Sequence, residues 1–400
     1  MTGIRASLKQ IDRCRYRNGL YSAVPPDSEV MIDLYRNVWI RDTIYTLLAY
    51  EALGDIDMLR AGVYALVDRI LLRWGYKLDW RIVHGVPADQ GEYLHPRFRE
   101  DGSEIVDELW GLRQDDAVGL AIWALGRWHE RFGILRNDYA DFHLIQRLIW
   151  YLERIDVPHA PDNGIWEEGP VVHLSSLAAV NAGLNQAARI GIKDIPERLS
   201  QQTQLKLLAM GGRETDERST DLALLTLIWP LGDDIAIPRR TQREILDRVE
   251  RELVGARGVI RHVGDEYNRC HGHSPEWTMG FGFLALAWEA MGEQEKALSY
   301  LDRLEDARTL DGELPESWCA DPSHYRYFNS PLCWSHALYI AAAIQLGAGA
   351  EVSLMPFRSK DVEVAHPATD PLSPQDPAPD TNASFVEEAQ PKETGRSVGA

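Results

Sequence analysis

Five times along the chain, a helix-length stretch that is apolar nearly all round is followed, after a turn, by one whose apolar residues keep to a single stripe. The pairs are residues 42–53 with 57–74, 116–132 with 138–154, 174–190 with 197–210, 220–229 with 241–254, and 277–291 with 294–304. In 138–154 the stripe is Phe142, Ile145, Ile149 and Leu152, spaced alternately by three and four. A sixth apolar stretch, 331–346, lacks a following partner, and residues 4–16 can supply one from the other end. A helix apolar on every side has to be buried, whereas a striped one covers a core with one face and meets water with the other. Six such pairs predict two concentric rings of helices, an all-α (α/α)6 barrel. Gly54, Gly133, Gly191 and Gly292 fall where the first member of a pair should stop, as glycines just past a helix end do. The predicted domain is 1–349. Beyond it Pro, Ala, Ser, Asp and Glu dominate, and 350–400 is expected to be disordered because it has too little apolar surface to bury.

The longer loops lead into the apolar helices, and in a toroid those loops converge on one face. Four of them carry acids beside tryptophan. Trp39-Ile40-Arg41-Asp42 opens the first apolar helix, and Trp110-Gly111-Leu112-Arg113-Gln114-Asp115-Asp116 opens the next. Each can be read as a sugar subsite, with Trp39 or Trp110 as platform, Arg41 and Asp42 on hydroxyls, and Gln114 and Asp116 in the floor. Each can also be read as an acidic helix cap. Gly164-Ile165-Trp166-Glu167-Glu168 sets two glutamates beside an indole; burial and like charge both raise a carboxyl pKa, as a general acid at neutral pH requires. Glu313-Leu314-Pro315-Glu316 places a second carboxylate on a proline-stiffened loop, where it could activate water or simply be solvated. Pyranoses lie on aromatic rings while carboxylates reach their oxygens, and glycoside hydrolysis takes two carboxyl groups. Arg261 and Trp277 are further candidates for sugar contact. The loop 75–111, with Trp80, His84, His95 and Trp110, is too long for a plain connector and is expected to wall the cleft.

A net charge of −19 opposes binding to nucleic acid or to an anionic membrane surface. The N-terminus has no secretory apolar core and no run is long enough to span a bilayer, so a cytoplasmic protein is expected. Cys14, Cys270, Cys319 and Cys333 show no CxxC spacing, and a chain this large needs no disulfide framework. Cys270-His271-Gly272-His273 invites a metal reading, but no second Cys/His cluster completes a four-ligand set, so no metal is expected. Nucleotide and serine-hydrolase motifs are absent from the sequence, and no cofactor is expected.

Taken in order, these motifs resemble glycoside hydrolase family 15, the glucoamylase-like family. Trp39-Ile40-Arg41-Asp42 is similar to its W-x-R-D, 110–116 to its W-G-x-x-Q-x-D, Gly164-Ile165-Trp166-Glu167 to its general-acid motif, and Leu314-Pro315-Glu316 to its base motif. Pro331-Leu332-Cys333-Trp334-Ser335 is similar to the start of its last inner helix. The resemblance implies an (α/α)6 barrel and exo-cleavage of α-glucosidic bonds with inversion. It makes Glu167 the acid and Glu316 the base. Arg41 and Asp42 would hold the terminal glucose, Trp110 would line the cleft, and Arg261 and Trp277 would be less central. An intracellular glucan, maltodextrin or trehalose fits better than extracellular starch. The chain also resembles the N-terminal domain of the phosphorylase kinase α and β subunits, which implies an alternative: a catalytically silent glucan-binding or regulatory module. A third reading, hydrolysis of an acidic glycan, calls for more basic side chains than the motifs supply.

Overall fold

The computed structural model describes residues 2–28, 33–105, 111–136 and 139–348, all within one unit, Met1–Ser353. The predicted tail, 350–400, and Trp110 lie outside the described residues. The helices are, in chain order, α1 (Thr2–Cys14), α2 (Ile40–Leu53), α3 (Ile56–Arg69), α4 (Gly75–His84), α5 (Asp115–Phe132) and α6 (Tyr139–Arg154). There follow α7 (Leu174–Arg189), α8 (Glu197–Ala209), α9 (Arg239–Leu253), α10 (Met279–Ala290), α11 (Gln294–Asp306) and α12 (Cys333–Gln345).

Their packing closes a ring. Helix α2 touches α5, α5 touches α7, α7 meets the segment Leu222–Leu227, that segment meets α10, α10 meets α12, and α12 returns to α2. Each inner member backs onto one outer helix, namely α3, α6, α8, α9, α11 and α1 in the same order. The two rings read from apolar patterning are therefore the observed ones, and the N-terminal helix is indeed the outer partner of the last inner one. Gly54 and Gly133 cap α2 and α5 with left-handed φ of 70° and 61°, as glycines past a helix end should. The closest approach is between α5 and α7. A Cβ on Gly119 would stand 2.5 Å from the Val180 nitrogen, and one on Gly183 would stand 2.7 Å from the Gly119 oxygen. Glycine is what lets these two backbones touch.

The fourth inner element departs from expectation. Residues 220–229 predict an α-helix, but Leu222–Leu227 is a single stretch of 3-10 helix. The cause is local. Asp221 is extended and its carboxylate accepts from Ala223 N at 2.8 Å, Thr226 Oγ1 donates to the Ala223 carbonyl at 2.7 Å, and Pro230 has no N–H with which to extend a helix. The segment is apolar all round because it is buried, not because it is α-helical.

Short strands stitch the loops on the face from which the inner elements start. Strand β1 (Val38–Trp39) pairs antiparallel with β2 (Arg97–Phe98), and β3 (Glu276–Trp277), β4 (Ser317–Trp318) and β5 (Tyr327–Phe328) form a second ladder. Cys270 and Cys319, from loops flanking that ladder, are joined by a disulfide, while Cys14 and Cys333 are free and buried. No disulfide was needed for a chain of this size, yet the fold brings these two Cα atoms to 5.5 Å, within bonding range. Inside the ring, Tyr45 stacks on Trp334 with centroids 4.6 Å apart and meets Phe283 edge-on at 5.5 Å. These rings pack α2, α10 and α12 against one another, and Trp334 also lines the cavity described below. No described helix is long and apolar enough to cross a membrane.

Candidate active site

The starts of the inner elements surround a cavity of about 690 Å³, the size of a small-ligand site. Trp39, Arg41 and Asp42 line one side, Trp166 and Glu167 another, and Glu316 reaches it from the β3–β4–β5 ladder.

Glu167 sits in a tight turn. Gly164 has φ 62° and Glu167 itself φ 61°, a left-handed backbone that a glutamate seldom adopts. The turn is held by Glu168 N donating to the Asn163 carbonyl at 3.0 Å and by Asn163 Nδ2 donating to the Glu168 carbonyl at 2.6 Å. Burial raises the Glu167 carboxyl to about 8, against the pull of Arg41 and Arg97 and helped by Asp42 and Asp116. The like-charge strain anticipated from Glu168 is not a leading cause. Glu168 also lines the cavity, but it takes hydrogen bonds from His262 Nε2 at 2.8 Å and Arg218 Nη2 at 2.6 Å. Burial works to raise its carboxyl, but those two partners outweigh it and bring it down to about 2. The two adjacent glutamates thus part into one proton holder and one fixed anion.

Arg41 ties this corner together. Its guanidinium donates to Gln114 Oε1 at 2.7 Å, to Asp116 Oδ2 at 3.0 Å and to Glu167 Oε1 at 2.9 Å. Gln114 and Asp116 lie beneath Arg41, outside the cavity lining, so they orient the guanidinium and do not form the floor. None of these acids is an N-cap, since α2 starts behind Trp39 and α5 behind Gln114, neither with a side-chain cap bond; Asp42, Asp115 and Asp116 lie instead inside the first turns, where the helix macrodipole favours an anion. Burial lifts the Asp42 carboxyl to about 6.

Glu316 is held from both oxygens. Tyr35 donates to Oε1 at 2.7 Å and Asn329 Nδ2 donates to Oε2 at 2.8 Å. Since the one Tyr35 proton is spent on Glu316, the 2.7 Å contact between the Tyr35 and Tyr267 hydroxyls is donated by Tyr267. Burial raises the Glu316 carboxyl to about 7, and the Tyr35 and Asn329 hydrogen bonds hold it from going higher. Asn329, like Glu167, has a left-handed φ, here 44°.

The remaining predicted residues that are described, Trp166, Arg261 and Trp277, also line the cavity. The Arg261 guanidinium lies 4.9 Å from the Trp277 ring centroid and 5.4 Å from that of Trp166, and is anchored by Asp265 at 2.8 Å. Trp166 Nε1 donates to Asp221 Oδ1 at 2.8 Å. Of the loop 75–111, only Arg97 among its described residues lines the cavity, brought there by the Trp39–Arg97 strand pair. Trp80 and His84 do not wall it: they sit on α4, which buries Leu78 and Arg81 and leaves Trp80 44% exposed. Tyr35, Tyr267, Asn329 and Arg97 escaped sequence reasoning. Each is a lone residue outside any acid–tryptophan motif, and only the fold brings it to a carboxyl group.

A family model described as "Glycosyl hydrolases family 15" matches residues 6–284. The chain belongs to glycosyl hydrolase family 15. The matched span of this family 15 chain takes in Glu167 and ends before Glu316. The chain is 26% identical to isomaltose glucohydrolase of Kribbella flavida over 89% of its own length and 94% of that protein's. It is 23% identical to the skeletal-muscle phosphorylase b kinase regulatory subunit alpha of Oryctolagus cuniculus, over 77% of this chain but only 30% of the subunit. Among solved structures, a wild-type glycosidase superposes with TM-score 0.71 at 23% identity, covering 86% of this chain and 96% of its own. The glucoamylase of Saccharomycopsis fibuligera gives TM-score 0.61 at 14% identity, covering 86% and 94%. At these identities the likeness concerns the fold, the (α/α)6 toroid that the helix pairing builds.

Proposed function

We propose that this family 15 chain is an inverting, exo-acting hydrolase of α-glucosidic bonds in short gluco-oligosaccharides or glucan ends. Glu167 acts as general acid and Glu316 as general base. The observation that carries the reading is that both carboxyls, each raised by burial, line one cavity with Arg41 and Asp42 beside them. A carboxyl at about 8 keeps its proton at neutral pH and can give it to the departing glycosidic oxygen. A carboxylate at about 7, oriented through both oxygens, can take a proton from the attacking water. Arg41 and Asp42 hold the terminal sugar, with Trp39, Trp166, Trp277 and Arg261 around it. An isomaltose-like α-glucoside is the first substrate to try, since a relative of similar length bears that activity in its name.

The test is to incubate the protein with isomaltose, maltose, trehalose and glycogen and to follow the released anomer by NMR. β-Glucose from an α-linked substrate is expected; α-glucose would refute inversion. Binding of an oligosaccharide without release of any glucose would favour the silent regulatory reading, to which the likeness to the kinase subunit lends support.

The pH profile of kcat/KM follows from the same two groups. Activity needs Glu316 ionised and Glu167 protonated, so the profile should rise through about 7 and fall through about 8. Tyr35→Phe removes a hydrogen bond that favours the Glu316 carboxylate. The rising limb should therefore move to higher pH and the maximum should drop. An unmoved rising limb would exclude Glu316 as the group that titrates there.

A further inference from the structure

The loop that leaves the cavity wall at Tyr267 and the loop that leaves it at Glu316 meet again three residues further on, at Cys270 and Cys319. Just past that bridge a second, unexplained meeting occurs. His271 and His324 face each other with ring centroids 3.8 Å apart, tilted by 34°. Both present Nδ1 to a single oxygen, Oδ2 of Asp321, at 3.8 Å from His271 and 3.1 Å from His324. The other Asp321 oxygen is already committed, accepting from Ser323 N at 2.9 Å and Ser323 Oγ at 2.6 Å. That commitment orients the carboxylate and leaves Oδ2 aimed at the two imidazoles, the arrangement by which an outer hydrogen bond sets a metal ligand. A surface turn needs Asp321 for its own capping; it does not need a histidine from another loop to arrive at the same oxygen.

The spacing suits a cation. One donor atom from each of the three residues lies within 4.8 Å of the other two. In a four-coordinate site with bonds of about 2.0–2.1 Å, donor atoms stand about 3.3 Å apart, so the widest pair need close by no more than about 1.5 Å. The side chains of His271 and His324 are 48% and 46% exposed, which leaves them free to make that adjustment and leaves water to complete the shell. Two imidazoles and one carboxylate favour a borderline divalent cation over calcium or magnesium, which prefer an all-oxygen shell. The neutral rings would carry their protons on Nε2 while Nδ1 ligates.

Sequence spacing hid this set. His271 lies in the Cys270-His271-Gly272-His273 run, whose missing partners come from beyond Cys319, 49 residues after Cys270.

We infer that His271, Asp321 and His324 form a three-ligand site for a divalent cation of the Zn2+ kind, which staples together the two loops that carry Tyr267 and Glu316. Titration of ZnCl2 into the full chain by calorimetry, in a non-chelating buffer, should give one cation per chain. Co2+ should give visible absorption bands of a nitrogen-ligated site. His271→Asn suits the left-handed backbone at this position, φ 53°, and removes the ligand; it and His324→Ala should each weaken Zn2+ binding at least about tenfold. Zn2+ should also slow amide exchange in residues 268–273 and 319–326 of the parent protein and not of His271→Asn. Absence of stoichiometric binding, binding of equal strength in both variants, or exchange unmoved by Zn2+ overturns the assignment.

Discussion

Glu167→Gln should lower kcat on an α-glucoside about a thousandfold, and Glu316→Gln should do the same, with the fold retained. Gln keeps the shape of each side chain and can still accept from its neighbours, Arg41 at Glu167 and Tyr35 at Glu316. It can neither give nor take the proton. Stability provides a second readout with a defined sign. The folded-state pKa of Glu167, about 8, stands above its ordinary value of 4.5, so from pH 4.5 to 8 the folded protein binds more protons than the unfolded one. The stability of the parent protein therefore falls as pH rises through that window, and Glu167→Gln should flatten the fall. For Glu316 the window runs from 4.5 to about 7. Turnover retained in either variant, measured as glucose released, would remove that residue from the mechanism.

Arg41→Met should have the largest effect on the fold, a loss of about 3–5 kcal/mol in denaturant unfolding. The arginine is 5% exposed and its removal leaves Asp116, 7% exposed, as a buried charge without its partner. Arg41→Met/Asp116→Asn removes both charges and should regain much of the loss, which separates the ion pair from simple packing. Activity has a different signature. Arg41 holds the Glu167 pKa down, so its loss should raise that pKa further and move the alkaline limb of the pH profile upward. A variant as stable as the parent would mean that Arg41 is not the keystone of this corner.

How far the sequence carries is decided by the range of each interaction. The concentric rings were legible because burial is written into helical periodicity, residue after residue, and glycine at 54 and 133 marks where each run stops. Glu167 and Glu316 were legible because each lies in a local motif with an aromatic or a proline. The 3-10 segment at Leu222–Leu227 was not, since buried apolar residues look alike in any helix and only the Asp221 and Thr226 side-chain bonds decide the pitch. The opposite fates of Glu167 and Glu168 were hidden as well. They depend on Arg41, Arg218 and His262, which come from three other places in the chain. The partners of Glu316 were equally remote, with Tyr35 lying 281 residues away.

The join between α1 and α12 bears on how the molecule is made. The His336 ring meets the Ser7 hydroxyl at 3.0 Å, and Cys333 N donates to the Ala23 carbonyl at 2.8 Å. During synthesis the first helix leaves the ribosome hundreds of residues before its mate, and its buried side chains Ile4 and Ile11 stay uncovered in the meantime. Five hairpins can stack as they emerge, but the sixth is assembled from the two extremities and completes the torus only after translation has passed Gln345. A nascent polypeptide halted before that point should remain a chaperone client, however much of its helix content has already formed.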